Sequence, residues 1–138
     1  AKKRGWAFLS PSSSPTACKD SIDWLSGRLG SAPTRVFVMG HSMGGGLALS
    51  TAGSVQPKAV AVFAPAGRNR GPGLESTPLW VGVGKQELMM LAGNARALKE
   101  GAQEYREYDP CEHLMIVACG LADAYRFFDS EQAKTKSP

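Results

Sequence analysis

Residues 36–46 read VFVMGHSMGGG. Val36 to Met39 is a short apolar run of β-branched and aromatic residues that suits a buried strand, and Leu47, Ala48 and Leu49 resume an apolar helical pattern beyond the glycines. The chain therefore turns sharply from strand to helix at Ser42, and the rest of the sequence can be read outward from that turn.

Upstream, Gly5 to Ser10 (GWAFLS) predicts a strand, closed by Pro11 and a Ser/Pro-rich loop. Asp20 or Ser21 then caps a helix that carries Ile22, Trp24, Leu25 and Leu29 and ends at Gly30. Strand Arg35 to Met39 leads into a helix from Met43 to Gly53. Downstream, strands are predicted at Lys58 to Phe63 (KAVAVF), Leu79 to Val83 (LWVGV) and Tyr105 to Tyr108, with helices at Glu87 to Lys99 and Leu114 to Phe128. A Gly/Pro-rich loop fills Arg68 to Pro78. Strands that are apolar along their length and alternate with helices imply an α/β fold, a mostly parallel sheet with helices on both faces.

Composition narrows the function classes. With 138 residues, 43% of them hydrophobic, the chain has the length and apolar content of one globular domain spanning 1–138. The net charge of +4 is scattered; Lys2, Lys3 and Arg4 form the only basic run, and no aromatic-basic stripe follows, so nucleic acid is not expected as a partner. No apolar stretch approaches the ~20 residues needed to span a bilayer, and no secretion signal is visible. Cys18, Cys111 and Cys119 are odd in number and lack zinc-ligand spacing, which predicts no metal site and free thiols in a reducing, cytoplasmic setting.

Gly40, Ser42 and Gly44 fit G-x-S-x-G, in which a serine on a strained turn raises its hydroxyl above the end of the sheet. Side chains at Gly40 and Gly44 are expected to collide with neighbouring backbone as the turn tightens. The helix starting beyond Ser42 aims unpaired N–H groups at the space beside the hydroxyl, with Met43 N–H as the first oxyanion donor. Two rival readings of the glycines fail. A dinucleotide turn needs an acid about twenty residues on, yet no acidic residue lies between Asp23 and Glu75; a phosphate loop needs a following Lys-Ser or Lys-Thr, which is missing.

A nucleophilic serine needs a base, and only His41 and His113 are present. His41 adjoins the serine and projects elsewhere, which suits packing or support. His113, in DPCEH after the last strand, lies where α/β sites form. An orienting carboxylate fixes the imidazole tautomer. Glu87 follows strand LWVGV and falls between Ser42 and His113 in chain order; Asp109 and Glu112, close to His113 in sequence, are the alternatives. Arg68 and Arg70, in the loop after the third strand, raise an anionic substrate as a lesser reading beside a plain solvated loop. Cys111, two residues before His113, is taken as a bystander thiol.

RGWAFLSP, DSIDWLSGRL, VFVMGHSMGGG, KAVAVFAPAG, TPLWVGVGKQE and YREYDPCEH, taken in register, resemble the C-terminal half to two-thirds of an α/β-hydrolase of the dienelactone-hydrolase, carboxylesterase and prolyl-oligopeptidase-like group. The resemblance implies a serine hydrolase that splits small-molecule acyl esters through an acyl-enzyme, with catalytic Ser42, Glu87 and His113 and no cofactor. The family carries Asp more often than Glu at the acid position. Its earlier strands, including one between Gly5–Ser10 and Arg35–Met39 and the loop that donates a second oxyanion N–H, have no counterpart here. A partial sheet with open edges, poor turnover and a tendency to self-associate are expected from that. A non-catalytic or truncated hydrolase-like module and a prolyl-oligopeptidase-like serine peptidase are the other readings.

Overall fold

The computed structural model describes residues 5–134, so the basic run at Lys2 to Arg4 lies outside the described residues. The elements, in chain order, are α1 (Ala17–Leu29), β1 (Phe37–His41), α2 (Met43–Thr51), β2 (Ala59–Phe63), β3 (Leu79–Gln86), α3 (Met89–Ala97), β4 (Glu104–Glu112) and α4 (Ile116–Ala133). Short 3-10 turns follow α2 and α3. The strands form one parallel sheet in the order β1-β2-β3-β4. Parallel neighbours need crossovers, and α2, the long loop after β2, and α3 supply them.

Side-chain alternation along the central strands builds two cores. Val60, Val62, Leu79, Val81 and Val83 face α2 and α3, where Leu49, Ala48, Ala92 and Ala95 close over them. Ala59, Ala61, Phe63 and Trp80 face the other way, against Ile116, Ala124, Phe127 and Phe128 of α4. Every residue of β2 is buried, as a strand covered on both faces requires. Gly120 of α4 sits over the rings of Trp80, Phe63 and Tyr108, close enough that a β-carbon there would crowd all three.

Several sequence-based boundaries move. The strand predicted at Tyr105 to Tyr108 extends to Glu112 and takes in Pro110, which an edge strand tolerates because its outer groups need no ladder partner. The last helix begins at Ile116 and runs on to Ala133. The strand predicted at Gly5 to Ser10 does not form. Trp6 to Ser10 is irregular chain, separated from β1 by a cavity of about 620 Å³ lined by this segment, α1 and Phe37 to Met39. A strand is stabilised by its neighbours, and across that gap the segment has no ladder to join. Trp6 reaches across the space, stacking on Phe37 with ring centroids 5.4 Å apart. One side of β1 is therefore an open edge, and its residues are half-buried where those of β2 are fully buried.

Cys111 and Cys119 are bonded to each other, against the expectation of free thiols, and Cys18 is the free cysteine among the described residues. Cys111 is the penultimate residue of β4 and Cys119 lies in the first turn of α4; when α4 folds back onto the sheet the two meet. The cysteines thus give no argument for a reducing compartment. Among the described residues, no helix is long and apolar enough to cross a membrane.

Candidate functional site

The carboxyl ends of β1, β3 and β4 each hand over to one of the residues the sequence singles out. Ser42 follows β1 with φ 52° and ψ −119°, a left-handed conformation that a side-chain-bearing residue adopts at a cost of about 1–3 kcal/mol. Three backbone hydrogen bonds hold it there. Its N–H donates to Phe63 O at 2.9 Å, and its carbonyl accepts from Gly46 N at 3.0 Å and Ala66 N at 2.8 Å. The turn is thus pinned to β2, to the loop after β2 and to the first turn of α2.

The glycines around it divide differently from the sequence-based expectation. A β-carbon on Gly40 would run into the Gly44 carbonyl, so that glycine is required for close approach. On Gly44 a β-carbon would meet nothing within 4 Å. The tight positions are Gly45, where an added β-carbon would stand 3.1 Å from Pro65, and Gly46, where it would stand 3.1 Å from the Ala66 carbonyl oxygen. The phase of α2 turns those two, and not Gly44, toward the loop after β2. Met43 is the first residue of α2, so its N–H has no carbonyl one turn back to bond, and it stands beside the serine as an available donor.

Glu87 and His113 are brought together. Glu87 Oε1 lies 3.0 Å from His113 Nδ1, with the Glu87 side chain fully buried and that of His113 23% exposed. Oε1 also accepts the Leu88 N–H at 2.8 Å, which fixes the carboxylate at the end of β3. The approach to Nδ1 has ion-pair distance without the alignment of a hydrogen bond, and Glu87 Oε2 is buried with no hydrogen-bond partner among the described residues. The alternative acids are placed elsewhere: Asp109 pairs with Lys85 at 3.1 Å on the surface, and Glu112 is exposed. Among the described residues, Ser42 Oγ makes no hydrogen bond to the His113 ring.

His41 has a contact that sequence reading did not foresee. Its Nε2 lies 3.0 Å from the His113 backbone carbonyl, and the two rings stand 4.6 Å apart, tilted by 38°. A carbonyl only accepts, so His41 Nε2 carries the hydrogen and donates it. Burial, and then the neighbouring His113 ring, hold His41 below the ordinary histidine range. It is neutral at neutral pH.

Around these residues lie exposed apolar side chains. Met43 follows Ser42; Leu88, Met89 and Met90 follow Glu87; Leu114 and Met115 follow His113; each is at least half exposed. Four of the chain's five methionines stand in this group, a clustering that was readable in the sequence once the three site loops were placed. Arg70 does not contribute a charge for an anionic ligand. Its guanidinium donates to the carbonyls of Leu74 at 3.1 Å and Thr77 at 2.7 Å and to that of Gly101, which ties the loop after β2 to the chain before β4.

No known family model matches the sequence, and no curated protein does. Solved structures do. The esterase domain from a Rhodothermus marinus protein aligns over 74% of this chain and 61% of its own length, at 17% identity and a TM-score of 0.57. MGS-MChE2, an α/β hydrolase enzyme from the metagenome of sediments from the lagoon of Mar Chica, Morocco, aligns over 88% of this chain and 69% of its own, at 16% identity and the same TM-score of 0.57. At such identities the likeness is one of fold, and the chain spans about three-fifths of the first structure's length.

Proposed function

We propose that the chain is a serine hydrolase of the α/β-hydrolase type that cleaves acyl esters through an acyl-enzyme. The observation that carries this reading is the conjunction, at the carboxyl ends of the strands, of a serine in strained left-handed backbone and a fully buried carboxylate 3.0 Å from a histidine ring nitrogen. Strain of this kind persists where the surrounding structure imposes it, and the serine's three backbone hydrogen bonds do so.

In the reaction, Ser42 Oγ attacks the carbonyl carbon of the ester and its proton passes to His113 Nε2. The oxyanion that forms is met by Met43 N–H. Glu87, at the Nδ1 side, stabilises the imidazolium. The tetrahedral adduct collapses, the C–O bond to the alcohol breaks, and the leaving oxygen takes the proton back from His113. Water then attacks the acyl-enzyme, losing a proton to His113; the bond to Ser42 Oγ breaks, His113 returns the proton to that oxygen, and the acid leaves. The exposed methionines and leucines suit an uncharged ester with an apolar acyl or alcohol part, since they offer adaptable apolar area and no ion-pair partner.

Release of p-nitrophenol from p-nitrophenyl butyrate tests the reading. Ser42→Ala abolishes it, and Glu87→Gln lowers kcat by about 10²- to 10⁴-fold with KM nearly unchanged, because imidazolium stabilisation matters in the transition state. Damage from Asp109→Asn with none from Glu87→Gln would show that the acid is misassigned. A second reading, a hydrolase-like chain without catalysis, is favoured by Ser42 Oγ standing without a hydrogen bond to His113; equal, negligible turnover by the wild type and Ser42→Ala would decide for it.

A further inference from the structure

The base and the nucleophile come from opposite edges of the sheet. Ser42 leaves β1 and His113 leaves β4, with β2 and β3 between, a separation of three strand spacings or about 14 Å along the sheet. The chain after β4 must therefore arch back over the carboxyl ends of β3 and β2 for His113 to serve Ser42. Among the described residues, the hydrogen bond that joins the elbow strand to this arch is the one from His41 Nε2 to the His113 carbonyl.

We propose that His41 is a positioning residue, a clasp that sets the height and facing of the His113 ring above Ser42. The inference rests on the reaction proposed above and assigns a further residue to it. His41 is well placed for the task because its own backbone is fixed: it is the last residue of β1, in register with Phe63 of β2. Whatever position β1 gives the serine, it gives the clasp one residue earlier. The bond is made to backbone, which leaves both ring nitrogens of His113 free for chemistry, Nδ1 toward Glu87 and Nε2 toward the nucleophile. Ring contact at 4.6 Å adds a stop against rotation of His113 about its side-chain torsions.

Charge fits the same role. A protonated His41 would set a second positive charge beside the imidazolium that forms when His113 takes the serine's proton, and would oppose it. Burial favours the neutral form of His41, so the clasp is suited to a neutral hydrogen bond beside the base.

The test uses His41→Phe, which keeps a ring and loses the donor, and His41→Gln, whose amide can reach the carbonyl. With p-nitrophenyl butyrate, His41→Phe is expected to lower kcat by about 10²-fold, the scale of a misplacement near 1 Å, with KM within twofold and the melting temperature close to wild type. His41→Gln recovers most of the loss. The chain has two histidines, so the imidazole nitrogen spectrum of His41→Phe shows His113 alone. Its signals are expected to move from their wild-type positions in the Phe variant and to return in the Gln variant.

Wild-type kcat in both variants, or a loss that tracks melting temperature and is not rescued by Gln, overturns the clasp while the hydrolase reading stands. If the wild type shows no Ser42-dependent turnover, the hydrolase reading fails and the spectra decide the clasp separately. Unmoved His113 signals then overturn it, and shifted, Gln-restored signals uphold the contact.

Discussion

Helices α1 and α4 carry comparable apolar stripes, yet none of the thirteen residues of α1 is buried, while α4 buries Ile116, Gly120, Ala124, Phe127 and Phe128 along one face. The difference lies beneath them. α4 lies on the outer face of β2 and β3, where Ala59, Ala61, Phe63 and Trp80 present a continuous apolar floor. α1 lies over the open side of β1, beside a cavity of about 620 Å³, and leaves Trp24 58% and Leu29 61% exposed. An apolar period tells which face of a helix can be buried; whether a surface is there to bury it is a property of the sheet. The site runs along the carboxyl ends of the strands, from Ser42 after the half-buried β1 to Glu87 and His113 after β3 and β4.

If the packed side carries the stability, mutations there should dominate. Phe128→Ala removes a nearly inaccessible ring that packs, tilted, on Phe37 with centroids 4.9 Å apart, and is expected to cost about 3–5 kcal/mol in denaturant unfolding. Trp24→Ala, on α1, is expected to stay within about 0.5 kcal/mol. A comparable loss at Trp24 would mean that α1 is covered in solution, and sedimentation of the same variant would show whether a second copy does the covering.

The cystine sharpens the contrast at a smaller scale. Cys111 and Cys119 close a loop with a sequence separation of 8 that contains His113, and loop-closure entropy puts the stabilisation at about 2–3 kcal/mol. Reduction, or Cys119→Ser, should lower the unfolding midpoint accordingly, whereas Cys18→Ser on α1 should leave it in place. A midpoint insensitive to reductant would break this part of the comparison.

The smallest effect concerns the tie between β4 and α4. Asp123 accepts from the Tyr108 hydroxyl and pairs with Arg126, and the Tyr108 hydrogen bond, then Arg126, hold its carboxyl below the usual range. A depressed folded-state pKa gives stability that is full above the unfolded value near 4 and is lost as pH falls through the folded value. Asp123→Asn should therefore cost about 1 kcal/mol at neutral pH and flatten the acid limb of stability below about pH 4. An unchanged acid limb would show that other carboxylates govern it.

Much of this architecture was legible. The parallel strands, their order along the chain and the turn at Ser42 follow from apolar runs and glycines, because a buried strand and a strand-to-helix turn impose their requirements locally. The loop order put Glu87 and His113 beyond the carboxyl ends of neighbouring strands. What was not legible depends on partners distant in the chain. Gly5 to Ser10 has a strand's composition and lacks a neighbouring ladder. Cys111 and Cys119 meet only after α4 folds back. Gly45 and Gly46, and not Gly44, face the loop after β2 because of the helix phase. The contact between His41 and His113 spans 72 residues, and nothing in either local sequence announces it.

Ser42 is proposed above as a nucleophile served by a base arched across the sheet. Incubation with a fluorophosphonate followed by peptide mass mapping tests it most directly, since the reagent marks serines whose proton a base removes. The account predicts one adduct, on the peptide that carries Ser42, lost in Ser42→Ala and formed at least 10²-fold more slowly in His113→Ala. Labelling of folded protein that is absent, or that proceeds at the same rate without His113, would contradict it.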